Sequence, residues 1–267
     1  MKLERLIVGV AVAAAVAFAA PVVRGEPAPD VQVEAGPEIA PRPWLYLDDP
    51  LLAAPMHALA FSRATYTADP SPTRPFGANI SRPGAVVEVG AEAGLLPRLS
   101  LAASAFGGGD QLGFGALAGL RWAPFDGTGK ATRVVVSGGW LRELDAIGSN
   151  GAWMRLAITQ DIRRLRLGAT LHGEHVFATG RDPIDVLVMA GASYAIAGPL
   201  RAGIEYVAQD IEETFGSEAE AGARQFLGPQ MQLDLFDWRL SVAGGPAFGI
   251  GQQSPTFSGR LSVAYEY

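Results

Sequence analysis

The sequence predicts an all-β protein, a closed antiparallel up-and-down transmembrane β-barrel of about twelve strands. Three observations predict it. Apolar residues recur at every second position through successive segments of roughly ten residues, the period of side chains that alternate between two faces of a strand. Charged residues make up only 18% of the 267-residue chain, against about 25% in a typical soluble domain, so much of the surface is expected to face something other than water. Short turns alternate along the chain with longer, more polar links, the arrangement of outer-membrane barrels.

Before the barrel comes an address. Residues 1–19 read as a cleavable signal peptide: Lys2 and Arg5 give a basic start, Leu6 to Ala19 is uncharged, and Ala17-Phe18-Ala19 offers small residues at cleavage-site spacing. The apolar run is shorter than the ~20 residues a membrane-spanning helix needs. Residues 20–55 form a proline-rich lead, with prolines at 21, 27, 29, 37, 41, 43, 50 and 55. Repeated proline removes backbone donors and favours extended, solvated chain, so the lead is expected to be a periplasmic tether. The apolar piece Pro43-Trp44-Leu45-Tyr46-Leu47 leaves a plug docked at the barrel mouth as the alternative.

The barrel is expected over 56–267. Its strands are placed near 56–66, 84–95, 99–107, 111–123, 132–142, 151–161, 165–177, 184–196, 200–209, 225–236, 238–249 and 256–267. In the second, Val87, Val89, Ala91, Ala93 and Leu95 share one face and Val86, Glu88, Gly90, Glu92 and Gly94 the other. In the seventh, Leu165, Leu167, Ala169 and Leu171 oppose Arg166, Gly168, Thr170 and His172. In the ninth, Leu200, Ala202, Ile204 and Tyr206 oppose Arg201, Gly203 and Glu205, with Val207 an exception on the polar side. Tight turns are expected at Pro97-Arg98, Arg163-Arg164, Gly198-Pro199 and Asp237. The longer links fall at 67–83, 142–150 and 210–224. With both termini in the periplasm, the tight turns lie on that side.

Alternation alone does not say which face looks inward, since a lipocalin-like barrel puts its apolar face inside. Composition decides. The polar face is rich in Gly, Ser and balanced opposite charges rather than the Lys and Glu of a watered surface. Trp122, Phe125, Trp140, Trp153, Tyr194, Phe236, Trp238, Tyr265 and Tyr267 gather towards segment ends, as interfacial girdles do. The closing segment Leu261-Ser262-Val263-Ala264-Tyr265-Glu266-Tyr267 resembles the C-terminal strand signature of bacterial outer-membrane proteins, in which alternating apolar residues end on an aromatic. That resemblance implies an insertion signal at Tyr265 and Tyr267, read by the barrel-insertion machinery. Gly94-Leu95-Leu96-Pro97-Arg98-Leu99-Ser100-Leu101 similarly resembles the turn-and-strand units of porin-like and transporter-like barrels.

If the polar face is interior, the expected lumen-lining residues are Glu88, Glu92, Arg121, Arg133, Arg155, Arg166, His172, Glu174, Asp185, Arg201, Glu205, Asp234, Arg239, Arg260 and Glu266. They either lock together as a ladder of salt bridges or line a hydrated path and set its selectivity.

Several chemistries lose their basis. The chain has no cysteine, which removes disulfides, thiolate metal sites and cysteine nucleophiles. Its net charge of -6 carries no basic block for nucleic acid. No Gly-rich loop follows a strand and opens a helix, so no nucleotide or other cofactor is expected. Ser149-Asn150-Gly151 matches part of the outer-membrane phospholipase pattern, but Ile147 stands where the base His belongs. His172 and His175 have opposite parity, so they do not share one metal. The expected function is a porin-like channel or transporter for small solutes, with outer-membrane lipid around it. The alternatives are a structural or adhesive barrel and a lipid-modifying enzyme.

Overall fold

Residues 52–68, 84–108, 115–125, 132–143, 148–178, 184–209, 224–236, 239–250, 254 and 256–267 are described in the computed structural model. The expected signal peptide, the expected lead to residue 51 and most of the longer links lie outside them. The twelve strands are β1 (Ala58–Thr67), β2 (Gly84–Leu96), β3 (Leu99–Gly108), β4 (Gly115–Phe125), β5 (Thr132–Glu143), β6 (Asn150–Ile162), β7 (Leu165–Val176), β8 (Asp185–Ala197), β9 (Leu200–Gln209), β10 (Arg224–Leu235), β11 (Leu240–Ile250) and β12 (Phe257–Glu266). Each pairs antiparallel with its neighbours in sequence, and β12 closes on β1. The expected fold class is therefore the one observed.

Closure follows from the alternation together with a steady stagger. Paired partners starting at Leu59, the second residue of β1, run through Glu92, Ala102, Gly119, Gly139, Trp153 and Glu174 to Asp185, the first residue of β8. Climbing from one strand end to the other means that the strands tilt against the barrel axis, as a closed sheet requires.

Two ends are distinguishable. At the turn end, two residues join β2 to β3, β6 to β7 and β8 to β9. Gly198 opens the last of these turns at φ +48°, the left-handed region that two-residue hairpins need and that glycine enters without steric cost. The opposite, loop end carries the longer links. The fourth strand is described from Gly115, with residues 111–114 of the expected span outside the described residues, and it runs on through Pro124. Its pairing with β5 shifts between Trp122 and Phe125, because Pro124 has no N–H to donate to the ladder.

The sidedness is clear. Outward-pointing Leu120, Trp122, Met154, Leu171, Tyr194 and Leu261 are exposed, while Glu92, Glu174 and His172 are buried to 2% exposure or less. Large apolar residues thus cover the outer face and the charged residues face the enclosed side, the reverse of a water-soluble barrel. The end of the lead enters this interior: Pro55 bridges Gly94, Met56 N–H donates to the Gly94 carbonyl (3.1 Å), and buried Ala53 donates its N–H to Glu92 Oε1 (2.8 Å).

Candidate functional site: the inner face of the barrel

The inner face takes one residue in two from every strand, so its chemistry is set by parity. At the turn end it is charged. Asp161 of β6 accepts from Arg166 of β7 through Nε (2.6 Å) and Nη2 (3.0 Å), and from Arg133 of β5. The Nε and Nη1 of Arg133 are buried and find no partner among the described residues. Arg201 of β9 donates to Ser193 Oγ (3.3 Å) and to the Arg164 carbonyl (3.4 Å), within electrostatic reach of Arg133, Arg166, Asp161 and Asp234. Asp234 of β10 is itself held by Gln232 Nε2 (2.6 Å) and the Ser241 hydroxyl. Three arginines therefore meet two aspartates. Across the barrel, Glu92 of β2 pairs with Arg121 of β4 and accepts from Ser100 Oγ (2.7 Å). Nearer mid-strand, Arg63 of β1 meets Glu88 of β2 at 3.4 Å.

The loop-end half differs. Acids gather on β7 to β9. Glu174 and Asp185 are register partners, and both are buried, as is Glu205. His172 Nε2 lies 3.4 Å from Glu174 Oε2, and Arg155 Nε donates to His172 Nδ1 at 3.4 Å. Trp153, expected in the interfacial girdle, instead faces inward and stacks on His172 with centroids 6.2 Å apart, and the Arg155 guanidinium lies 5.6 Å from the Trp153 centroid. Beyond these come apolar side chains on the inner parity. Val86, Phe106, Leu117, Leu141, Trp153 and Val176 form one buried cluster over β2 to β7, and Met189, Val207, Phe226 and Ala247 form another over β8 to β11. Val207, out of pattern in sequence, belongs to the second cluster.

Of the lumen residues expected from sequence, Glu88, Glu92, Arg121, Arg133, Arg166, His172, Glu174, Asp185, Arg201, Glu205 and Asp234 are buried, and Arg155, Arg260 and Glu266 are half-buried. Arg239 departs from the expectation. Strand β11 begins at Leu240, so Arg239 sits in the preceding turn and is exposed. It has the inward parity, but no wall encloses it there. Asp161, Arg63 and Gln230 are not among the expected lumen residues, although each lies inside an expected strand on its inward parity. Gln230 is buried at 2% exposure, and neither its Nε2 nor its Oε1 has a hydrogen-bond partner among the described residues.

His175 lies exposed against Phe177 on the outer face, with centroids 5.0 Å apart, while His172 is fully enclosed. The Ser149-Asn150 pair serves structure: Asn150 Oδ1 accepts from Arg142 Nη1 (2.9 Å) and Trp140 Nε1 (3.3 Å), and the Ser149 carbonyl accepts from Glu143 N–H (2.8 Å). At the C-terminus, Tyr265 and Tyr267 pack edge to face 4.9 Å apart, and Tyr267 N–H donates to the Ala58 carbonyl (2.8 Å), tying the last residue to the first strand.

No family model matches the chain, and no curated protein sequence does. Solved structures do match in fold. One is the KdgM porin in complex with disordered oligogalacturonate, at 7% identity and a TM-score of 0.54, covering 79% of this chain and 99% of that one. A second is the COG4313 outer membrane channel from Pseudomonas putida F1, at 9% identity and a TM-score of 0.53, covering 88% and 100%. A third is the NanC porin, at 8% identity and a TM-score of 0.52, covering 77% and 98%. The chain thus shares the closed-barrel fold of outer-membrane porins and channels.

Proposed function

We propose that the protein is an outer-membrane channel of porin-like type that passes small solutes through the barrel. The observation that supports it best is the enclosed charged face behind an apolar outer wall. A barrel that served only as a scaffold could fill its interior with apolar side chains and would avoid the cost of burying so many ions. The neighbours in fold are named as porins and channels, which agrees with this reading. In it, the outer wall meets outer-membrane lipid, the short turns and both termini face the periplasm, and Tyr265 and Tyr267 present the strand that the insertion machinery reads.

Selectivity follows from the separation of charge along the lumen, arginine-rich at the turn end and acid-rich on β7 to β9. Purified protein in planar bilayers is expected to give discrete conductance steps. Under a KCl gradient, Arg133→Gln with Arg201→Gln shifts the reversal potential towards cations, and Glu174→Gln with Asp185→Asn shifts it towards anions. A barrel that inserts but shows no conductance at any salt concentration contradicts the channel.

A further inference from the structure

The hydrogen-bond ladder between β10 and β11 is interrupted. Their register pairs Leu227 with Phe248 and Met231 with Gly244, and pairs nothing between. The same register sets Pro229 opposite Pro246, and both prolines are exposed on the outer face. Neither has an N–H, so the ladder loses both hydrogen bonds that this pair would exchange. That loss accounts for the three missing pairs, because the flanking pairs share those same two donors. Proline within sheets is otherwise confined to edges and bulges, and a closed barrel has no edge. In lipid, moreover, water does not make up for missing backbone bonds. The seam lies about halfway along both strands.

Behind the seam the inner face carries small residues and one amide. The inward residues flanking it are Gly228, Gln230, Gly245 and Ala247. Gly228 and Gly245 let the two backbones close on each other here, since a β-carbon on either would overlap the carbonyl oxygen of Pro246 or Pro229. Towards the loop end, the inner face continues as the apolar patch of Phe226, Val207 and Met189, on successively paired strands. Gln230 adds a buried amide with no hydrogen-bond partner among the described residues. Buried amides are almost always hydrogen-bonded, so its donor and acceptor mark a place where a ligand's polar atom would be satisfied.

We propose that the Pro229–Pro246 seam is a lateral portal. Through it, an apolar molecule carrying one hydrogen-bonding group passes between the apolar patch of the lumen and the surrounding bilayer. The seam is shut in this structure, with the two backbones closed on each other at Gly228 and Gly245. The proposal rests on the reading of the chain as a membrane barrel that passes solutes, and it adds a substrate class and a route distinct from the axial one.

The test uses 1-N-phenylnaphthylamine, an uncharged aromatic amine that fluoresces in lipid, with intact Gram-negative cells expressing the full chain. Native protein is expected to speed its uptake over cells carrying the empty vector. Pro229→Val/Pro246→Val restores both donors and is expected to return uptake to the vector rate, with KCl conductance retained and heat stability in detergent not lowered. Met189→Gln, which leaves the seam intact but makes the apolar patch polar, is expected to slow uptake as well. Conductance without seam-dependent uptake overturns the portal and leaves the channel standing. Seam-dependent uptake without conductance overturns the axial channel and leaves the portal.

Discussion

Asp161 holds two arginines from neighbouring strands, and its environment shows how buried charge is tolerated in this barrel. Arg133 and Arg166 are almost fully enclosed, with side chains at 3% and 4% exposure, while Asp161 keeps 26%. Removing the carboxylate leaves two enclosed cations to repel each other. Breaking one side of a buried pair costs on the order of 3–5 kcal/mol, and the partial exposure of Asp161 places Asp161→Asn at the lower end, about 3 kcal/mol. Urea unfolding in detergent micelles measures that loss. The midpoint of Asp161→Asn is expected to fall and to recover partly in high salt, which screens the exposed side of the cluster. A variant as stable as the native protein would mean that the two arginines are satisfied by water.

At the scale of the element, turns and prolines decide where the ladder is regular. Gly198 sits at φ +48° with nothing within 4 Å of where a β-carbon would stand. Substitution there meets no steric clash, so any cost belongs to the backbone alone. A non-glycine residue in the left-handed region costs roughly 1–2 kcal/mol, and β-branching does not relieve it. Gly198→Val is therefore expected to lower stability by about that amount while leaving conductance unchanged. Equilibrium unfolding of the reconstituted barrel checks the first expectation and planar bilayers the second. Arg163 adopts φ +57° in the equivalent turn between β6 and β7. By the same physics, Arg163→Gly should stabilise that hairpin.

Across the whole molecule, the alternation that reads cleanly in sequence is the one the barrel uses. The period marked the strands, and the placement of Gly, Arg and Glu on one parity marked the inner face. What stayed hidden depended on pairing rather than on period. Asp161 stands one residue from the end of β6, where strand limits read from one sequence blur. Arg239 has inward parity, but whether a wall surrounds it depends on where β11 begins. The apolar inner patches do not alternate in polarity, so Val207 looked out of place until Met189 and Phe226 stood beside it. The opposition of Pro229 and Pro246 is a matter of register between β10 and β11, and residue types alone do not reveal it. The change from charged to apolar along the inner face is likewise a property of the assembled barrel.

The cysteine-free chain permits a direct test of sidedness by single-cysteine spin labelling in lipid, one residue at a time from Met154 to Thr159 on β6. The account predicts a two-residue rhythm. Labels at Met154, Leu156 and Ile158 are relaxed by oxygen, which concentrates in the bilayer, whereas labels at Arg155, Ala157 and Thr159 are shielded from it. Oxygen access at the second set with protection of the first, or a mature chain that stays dissolved without detergent, would contradict it.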